Sequence, residues 1–96
     1  MATFISTIKF TEKGISEIKD TCQRAENFKK QAKKMGVKVS DIFWTQGPYD
    51  GLLVLEAPDD LSATALMVHV CSDGFVHTQT IRAYRADEMK AILEKI

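Results

Sequence analysis

Cysteine is scarce in this sequence. Cys22 and Cys71 stand far apart and form no CxxC pair. That spacing offers no disulfide framework and no common zinc or redox motif, so both read as reduced thiols packed as small apolar groups. Proline and glycine are few as well, two and five in 96 residues, which argues against a disordered or collagen-like chain. No basic segment followed by an apolar run opens the chain, so no signal peptide is expected. The longest helical apolar stretch, "ALMVHV", is too short to cross a bilayer, and a cytoplasmic protein without membrane contact is expected. GxGxxG and GxxxxGK[ST] are both missing, so there is no sequence case for a dinucleotide or P-loop phosphate site. A GxSxG nucleophile elbow is missing too. No cofactor is expected, and any reaction would have to proceed without these devices.

Charge of one sign is lacking overall, with 13 basic and 13 acidic residues, but the balance is uneven. Residues 1–48 hold 9 Lys/Arg against 5 Asp/Glu, and residues 49–96 hold 4 against 8. The basic excess sits mainly in "KKQAKKMGVK", with no interleaved aromatics and no known binding module. It reads as a solvated helix face, not a nucleic-acid surface. The opposite bias of the two halves can also help identical subunits meet.

What remains is an ordinary globular composition, 45% hydrophobic and 27% charged, with room for one domain spanning residues 1–96. Residues 2–10, rich in β-branched and aromatic side chains, read as a first strand, with Thr11 able to cap the helix after it. Ile15, Ile18, Cys22, Ala25, Phe28, Ala32 and Met35 then recur at helical spacing, with a break and re-cap available at Asp20-Thr21 and a stop at Gly36. Strands are expected over 37–46 and 51–57, joined by "GPYDG", where Gly47, Pro48 and Gly51 supply turn chemistry. Pro58 ends the third strand, Asp59 or Asp60 caps a helix over about 60–72, and "FVHTQTIRAY" is the fourth strand. A terminal helix shows Met89, Ile92, Leu93 and Ile96 on one face.

The order βαββαβ plus a C-terminal helix predicts an α+β, ferredoxin-like sandwich with both main helices on one face of an antiparallel sheet. Runs such as Ile42-Phe43-Trp44 and Leu52-Leu53-Val54-Leu55 put large apolar groups on both faces of that sheet. Helices cover one face only, so the other calls for a partner, most simply a second copy in a two-fold homodimer or higher oligomer of dimeric α/β-barrel type.

The chain from "FISTIKFTEKGI" through "FWTQGPYDGLLVLEAPDD" to "HTQTIRAYRADEM" resembles the GYD-domain family, named for a Gly-x-Tyr-Asp element that stands here as Gly47, Tyr49 and Asp50. The resemblance implies a small bacterial or archaeal cytosolic protein of dimeric α/β-barrel type and says little about chemistry.

Five residues stand out as ligand-binding candidates: Trp44, Tyr49, Asp50, His77 and Arg82. Trp44 offers a flat wall, and Asp50 can act as a base or hold the Tyr49 hydroxyl. The competing structural reading has Asp50 accepting backbone hydrogen bonds within the turn, Gly51 at positive φ and Tyr49 folded over the hairpin. On the fourth strand, either His77, Gln79, Ile81 and Ala83 or Val76, Thr78, Thr80, Arg82 and Tyr84 face away from the helices. Arg82 suits a carboxylate ligand or an acidic neighbour. His69 and Cys71 point apart on one helix, so no metal site is expected. These features favour a homo-oligomeric module that binds a small organic molecule near the hairpin. The alternative is a cofactor-independent enzyme, a small monooxygenase or isomerase acting on a planar organic acid or aromatic. Catalytic residues stay unassigned.

Overall fold

A computed structural model describes all of residues 1–96. Strand β1 (Ala2–Phe10) leads into a short helix α1 (Glu12–Ser16), a 3-10 turn (Ile18–Asp20) and helix α2 (Thr21–Lys34). Thr11 caps α1, its hydroxyl accepting from the Gly14 N–H at 3.1 Å. The long helical periodicity is interrupted from Glu17 to Asp20 and resumes at Thr21, but the Asp20 side chain makes no capping hydrogen bond there. Strands β2 (Lys38–Trp44) and β3 (Gly51–Ala57) form a hairpin, followed by α3 (Asp60–Ser72), β4 (Val76–Ala83) and α4 (Ala86–Leu93). Asp59 caps α3 by accepting from the Ser62 N–H at 2.8 Å.

The sheet order is β2-β3-β1-β4, antiparallel throughout, as the ferredoxin-like reading requires. Helices α2 and α3 share one face. Under them Phe4 and Ile8 of β1, and Leu53, Leu55 and Ala57 of β3, meet Phe28 and Ala32 of α2 and Ala63, Leu66 and Met67 of α3. Strand β3 alternates without interruption, Gly51, Leu53, Leu55 and Ala57 inward, because a side-chain period of two is all a regular strand allows. Strand β2 does not alternate. Its pairing with β3 shifts between Val39 and Asp41, a bulge that leaves Ser40 without a partner. Val39 and Ile42 therefore both pack against the core, which an unbroken strand would forbid.

On the opposite face the registers line up two rows across all four strands. Asp41, Val54, Ile5 and Ile81 form one; Phe43, Leu52, Thr7 and Gln79 form the next. Phe43 and Ile81 are 51% and 61% exposed there. Strand β4 settles which of its residues lie where. Val76 packs on the core, Thr78 bonds the Cys71 thiol of α3, Thr80 bonds Ser6, and the Arg82 guanidinium lies over Phe4. His77, Gln79, Ile81 and Ala83 are thus the set that faces away from the helices.

Candidate functional site

The hairpin loop is where most of the candidates gather. Thr45 and Asp50 close it, the Thr45 N–H donating to the Asp50 carbonyl at 3.0 Å and the Thr45 hydroxyl to the Tyr49 carbonyl at 2.8 Å. The residue in the left-handed region is Gly47, with φ 103°, and not Gly51 as the turn chemistry suggested. Gly51 is already the first residue of β3 and takes ordinary strand backbone. It is small for a packing reason: a Cβ there would lie 3.0 Å from the Phe43 carbonyl oxygen and 3.4 Å from the Ile8 Cβ. The turn also differs in what Asp50 does. Its carboxylate reaches out of the loop to β1, accepting from the Phe10 N–H at 2.9 Å, while its own N–H donates to the Ile8 carbonyl at 2.8 Å. Asp50 thereby extends the β1–β3 ladder one step past Gly51, a side chain standing in for a strand. Lys9 lies 3.8 Å from the same oxygen.

Trp44, Gly51 and Ile8 are neighbours in register on the helix side. Since Gly51 has no side chain, this row has a gap, and α2 does not fill it. The result is a cleft of about 100 Å³ with Ile8, Gly51 and Leu53 beneath, Trp44 at the edge, and Arg24 and Phe28 of α2 above. The Trp44 indole N–H donates to the Thr21 hydroxyl at 3.0 Å, which holds the ring upright at the mouth, 49% exposed. Arg24 donates to the carbonyls of Glu17 at 2.7 Å and Gly14 at 3.3 Å, and its guanidinium stacks over the Phe75 ring. No carboxylate pairs with it.

Tyr49 and His77 lie on the other side of the sheet. With Lys9, Pro48 and Gln79 they line a shallow depression of about 330 Å³. The sheet therefore separates the five candidates. Trp44 and Asp50 line the helix-side cleft, Tyr49 and His77 the open face, and Arg82 sits at the far end of β4. No hydrogen bond joins Tyr49, Asp50 and His77 to one another. Arg82 has found an acidic neighbour, Glu88, at 2.9 Å, and also donates to the carbonyls of Thr3 and Ala83.

That far end carries residues the sequence reading passed over. Arg85 donates to Glu56 at 2.7 Å, and Thr3 donates to the other Glu56 oxygen at 2.9 Å. The Arg85 hydrogen bond holds the Glu56 carboxyl below the usual carboxylate range, against the opposing pull of burial. Arg82 does the same to Glu88, whose other oxygen caps α4 by accepting from the Arg85 N–H at 3.1 Å. The Arg85–Glu88 spacing of three was the available signal, a capping-box interval in which Arg replaces the usual Ser or Thr. No cluster of three or more His, Cys, Asp or Glu side chains suits a metal ion, and no helix is long and apolar enough to cross a membrane.

The sheet order and one-sided helices define a ferredoxin-like α+β domain. Within that class the chain belongs to the GYD domain family, whose model matches residues 4–93. A curated relative from Thermus thermophilus is the "Glutamine synthetase and cystathionine beta-lyase binding protein", 30% identical over 95 residues, which are 98% of this chain and all of the relative. Two solved structures share the fold. The crystal structure of MtbAldR superposes with TM-score 0.67 at 15% identity; the match covers 88% of this chain and about half, 52%, of that longer one. The crystal structure of TTHA0845, also from Thermus thermophilus, superposes with TM-score 0.59 at 19% identity, over 90% of this chain and 96% of that one.

Proposed function

We propose that this chain is a cytoplasmic, self-associating binding module whose principal partners are proteins: a second copy through the open sheet face, and a client through the hairpin end. The observation that carries the reading is the pair of rows on the open face, where Ile5, Phe43, Leu52, Val54 and Ile81 form an apolar surface opposite the helix-covered side. A client surface is supported by the half-exposed Trp44 on the helix side of the hairpin end, a residue type that anchors interfaces, and by the binding-protein name of the Thermus relative. Glutamine synthetase and cystathionine β-lyase are therefore the first clients to test, by surface plasmon resonance with the protein immobilised. For self-association the measurement is sedimentation equilibrium at micromolar concentration. The expected result is one species of twice the chain mass, converted to monomer by Val54→Glu. A wild-type monomer overturns it. The enzymatic alternative asks for Tyr49, Asp50 and His77 within reach of one another in a closed pocket, and this geometry gives it no support.

A second reading concerns the cleft beside Trp44, which supports a small organic ligand near the hairpin. Its volume is about two-thirds of the ~150 Å³ that admits benzene in an engineered apolar cavity, so a ring would enter edge-first and leave its substituent at the mouth. Arg24, with no carboxylate partner, favours an acidic substituent there. Trp44 is the only tryptophan, so its fluorescence reports this site alone. Benzoate is expected to give a saturable change at a Kd of about 1 mM, near −4 kcal/mol, and benzylamine none. Linear quenching by both would remove the ligand site.

A further inference from the structure

The Trp44 indole stands where a large apolar ring gains little. It is 49% exposed, while the cleft of about 100 Å³ beside it is walled mostly by apolar side chains. Trp44 ends β2, and its cross-strand neighbour is Gly51, the first residue of β3. An aromatic side chain beside a strand glycine can lean over it and cover the backbone that the missing side chain leaves bare. Here the ring stands off, and Gly51 is left as the floor of an open cleft. What holds it off is one hydrogen bond, from the indole N–H to the hydroxyl of Thr21, the first residue of α2. A second acceptor lies within the cleft. Asp50 lines it, and its carboxylate meets the Phe10 N–H and Lys9 through Oδ2 alone, at 2.9 and 3.8 Å. Oδ1 accepts from no group of the chain.

We propose that Trp44 is a lid with two positions and that Thr21 is its catch. With the indole N–H on Thr21 the ring is upright and the cleft is open. With the N–H on Asp50 Oδ1 the ring lies over Gly51 and fills the space that a ligand would take. The inference rests on the reading of this cleft as a ligand site, and it adds what governs entry. Both positions give the N–H an acceptor, so the balance between them turns on small terms. The inward position buries an exposed indole face; the upright one keeps the Thr21 bond. The roof does not close the gap in place of the ring, because Arg24 is tied to the carbonyls of Glu17 and Gly14. One net hydrogen bond shifts a two-state balance about fivefold. A ligand that enters only the open form loses apparent affinity in proportion to the fraction closed.

The test compares Thr21→Val, which removes the catch and keeps a branched side chain, with Thr21→Ser, which keeps the hydroxyl. In ligand-free Thr21→Val, Trp44 emission is expected to move to shorter wavelength and its quenching by acrylamide to fall severalfold. NOEs from the indole ring to the side chains of Ile8 and Leu53 are expected to appear. Thr21→Ser should keep the wild-type spectrum. Benzoate should bind Thr21→Val more weakly than wild type, by up to about fivefold, and Thr21→Ser as wild type does. An unchanged spectrum in Thr21→Val, or a ring more open to acrylamide, overturns the lid. An inward ring with unchanged benzoate affinity also overturns it, since the ring then does not govern entry. A wild type that binds no benzoate removes the ligand site and the lid together, and the ligand-free spectra tell that outcome from a ring that never moves. Should Thr21→Val fail to fold, the same measurements on Thr21→Ala decide.

Discussion

Replacing Asp50 with alanine is expected to cost about 1–3 kcal/mol of folding stability, the penalty for leaving a part-buried donor unpaired. The donor is the Phe10 N–H, whose acceptor is the Asp50 carboxylate at 2.9 Å. Beyond Gly51 the Asp50 N–H still bonds the Ile8 carbonyl of β1, but the Asp50 carbonyl is turned back to accept from Thr45, so the Phe10 N–H has the carboxylate in place of a main-chain acceptor. Asp50→Asn keeps an acceptor oxygen in place and is expected to lose well under half as much. The ion pair with Lys9 adds little to either figure, being 3.8 Å long with a largely exposed lysine. Urea denaturation is the check: the midpoint should fall for alanine with an unchanged slope, the mark of a stability change in a two-state unfolding. If Asp50→Ala is as stable as wild type yet abolishes the benzoate response of Trp44, Asp50 is a ligand residue and the structural account of it fails.

This expectation changes what the Gly-Pro-Tyr-Asp-Gly stretch means. Its residue types announce a turn, and a turn is what they make. Turn statistics cannot say that Gly47 carries the positive φ, nor that Asp50 bonds a strand forty residues earlier in the chain. Local rules describe neighbours in sequence, and that contact is a neighbour only in the sheet. The same limit explains why Trp44 and Tyr49, five residues apart, read as one site in the sequence. A loop reverses the chain and resets which side each residue faces, and here the two end on opposite sides of the sheet. In β2 the bulge at Ser40 defeats alternation directly, since one added residue flips every side chain after it. Elements with an unbroken period were legible. Helix α2 buries Phe28 and Ala32, two of the residues that recur at helical spacing between Cys22 and Met35. The apolar face of α4 was equally plain, but the ion pair of Arg85 with Glu56, which fixes the start of that helix at the end of the sheet, leaves no periodic trace.

Gly14→Ala is expected to be the most damaging single methyl added to this chain. A Cβ at Gly14 would stand 2.2 Å from the Phe75 carbonyl oxygen and 3.3 Å from the Phe10 Cβ. The first of these is backbone and cannot rotate away, so α1 must lift from the start of β4. Lifting it breaks the Thr11 N–H bond to the Phe75 carbonyl at 3.0 Å and the Thr11 hydroxyl bond to the Gly74 carbonyl at 2.6 Å. It also withdraws the Gly14 carbonyl from Arg24, which helps fix that residue at the cleft. Together these place the loss at the upper end of overpacking, about 3 kcal/mol, or a fall in Tm of roughly 12–24 °C for a domain of this size. Gly36→Ala is the control. Its φ of +76° carries the left-handed strain of about 1–2 kcal/mol, but nothing lies within 4 Å of the added carbon. Calorimetry of the two variants separates crowding from backbone strain. If Gly14→Ala melts within a few degrees of wild type, α1 rests loosely on the sheet and does not position Arg24. Should it melt as expected while the Trp44 response to benzoate also weakens in the folded fraction, the packing of α1 and the composition of the cleft are one constraint, and Gly14 is where the two meet.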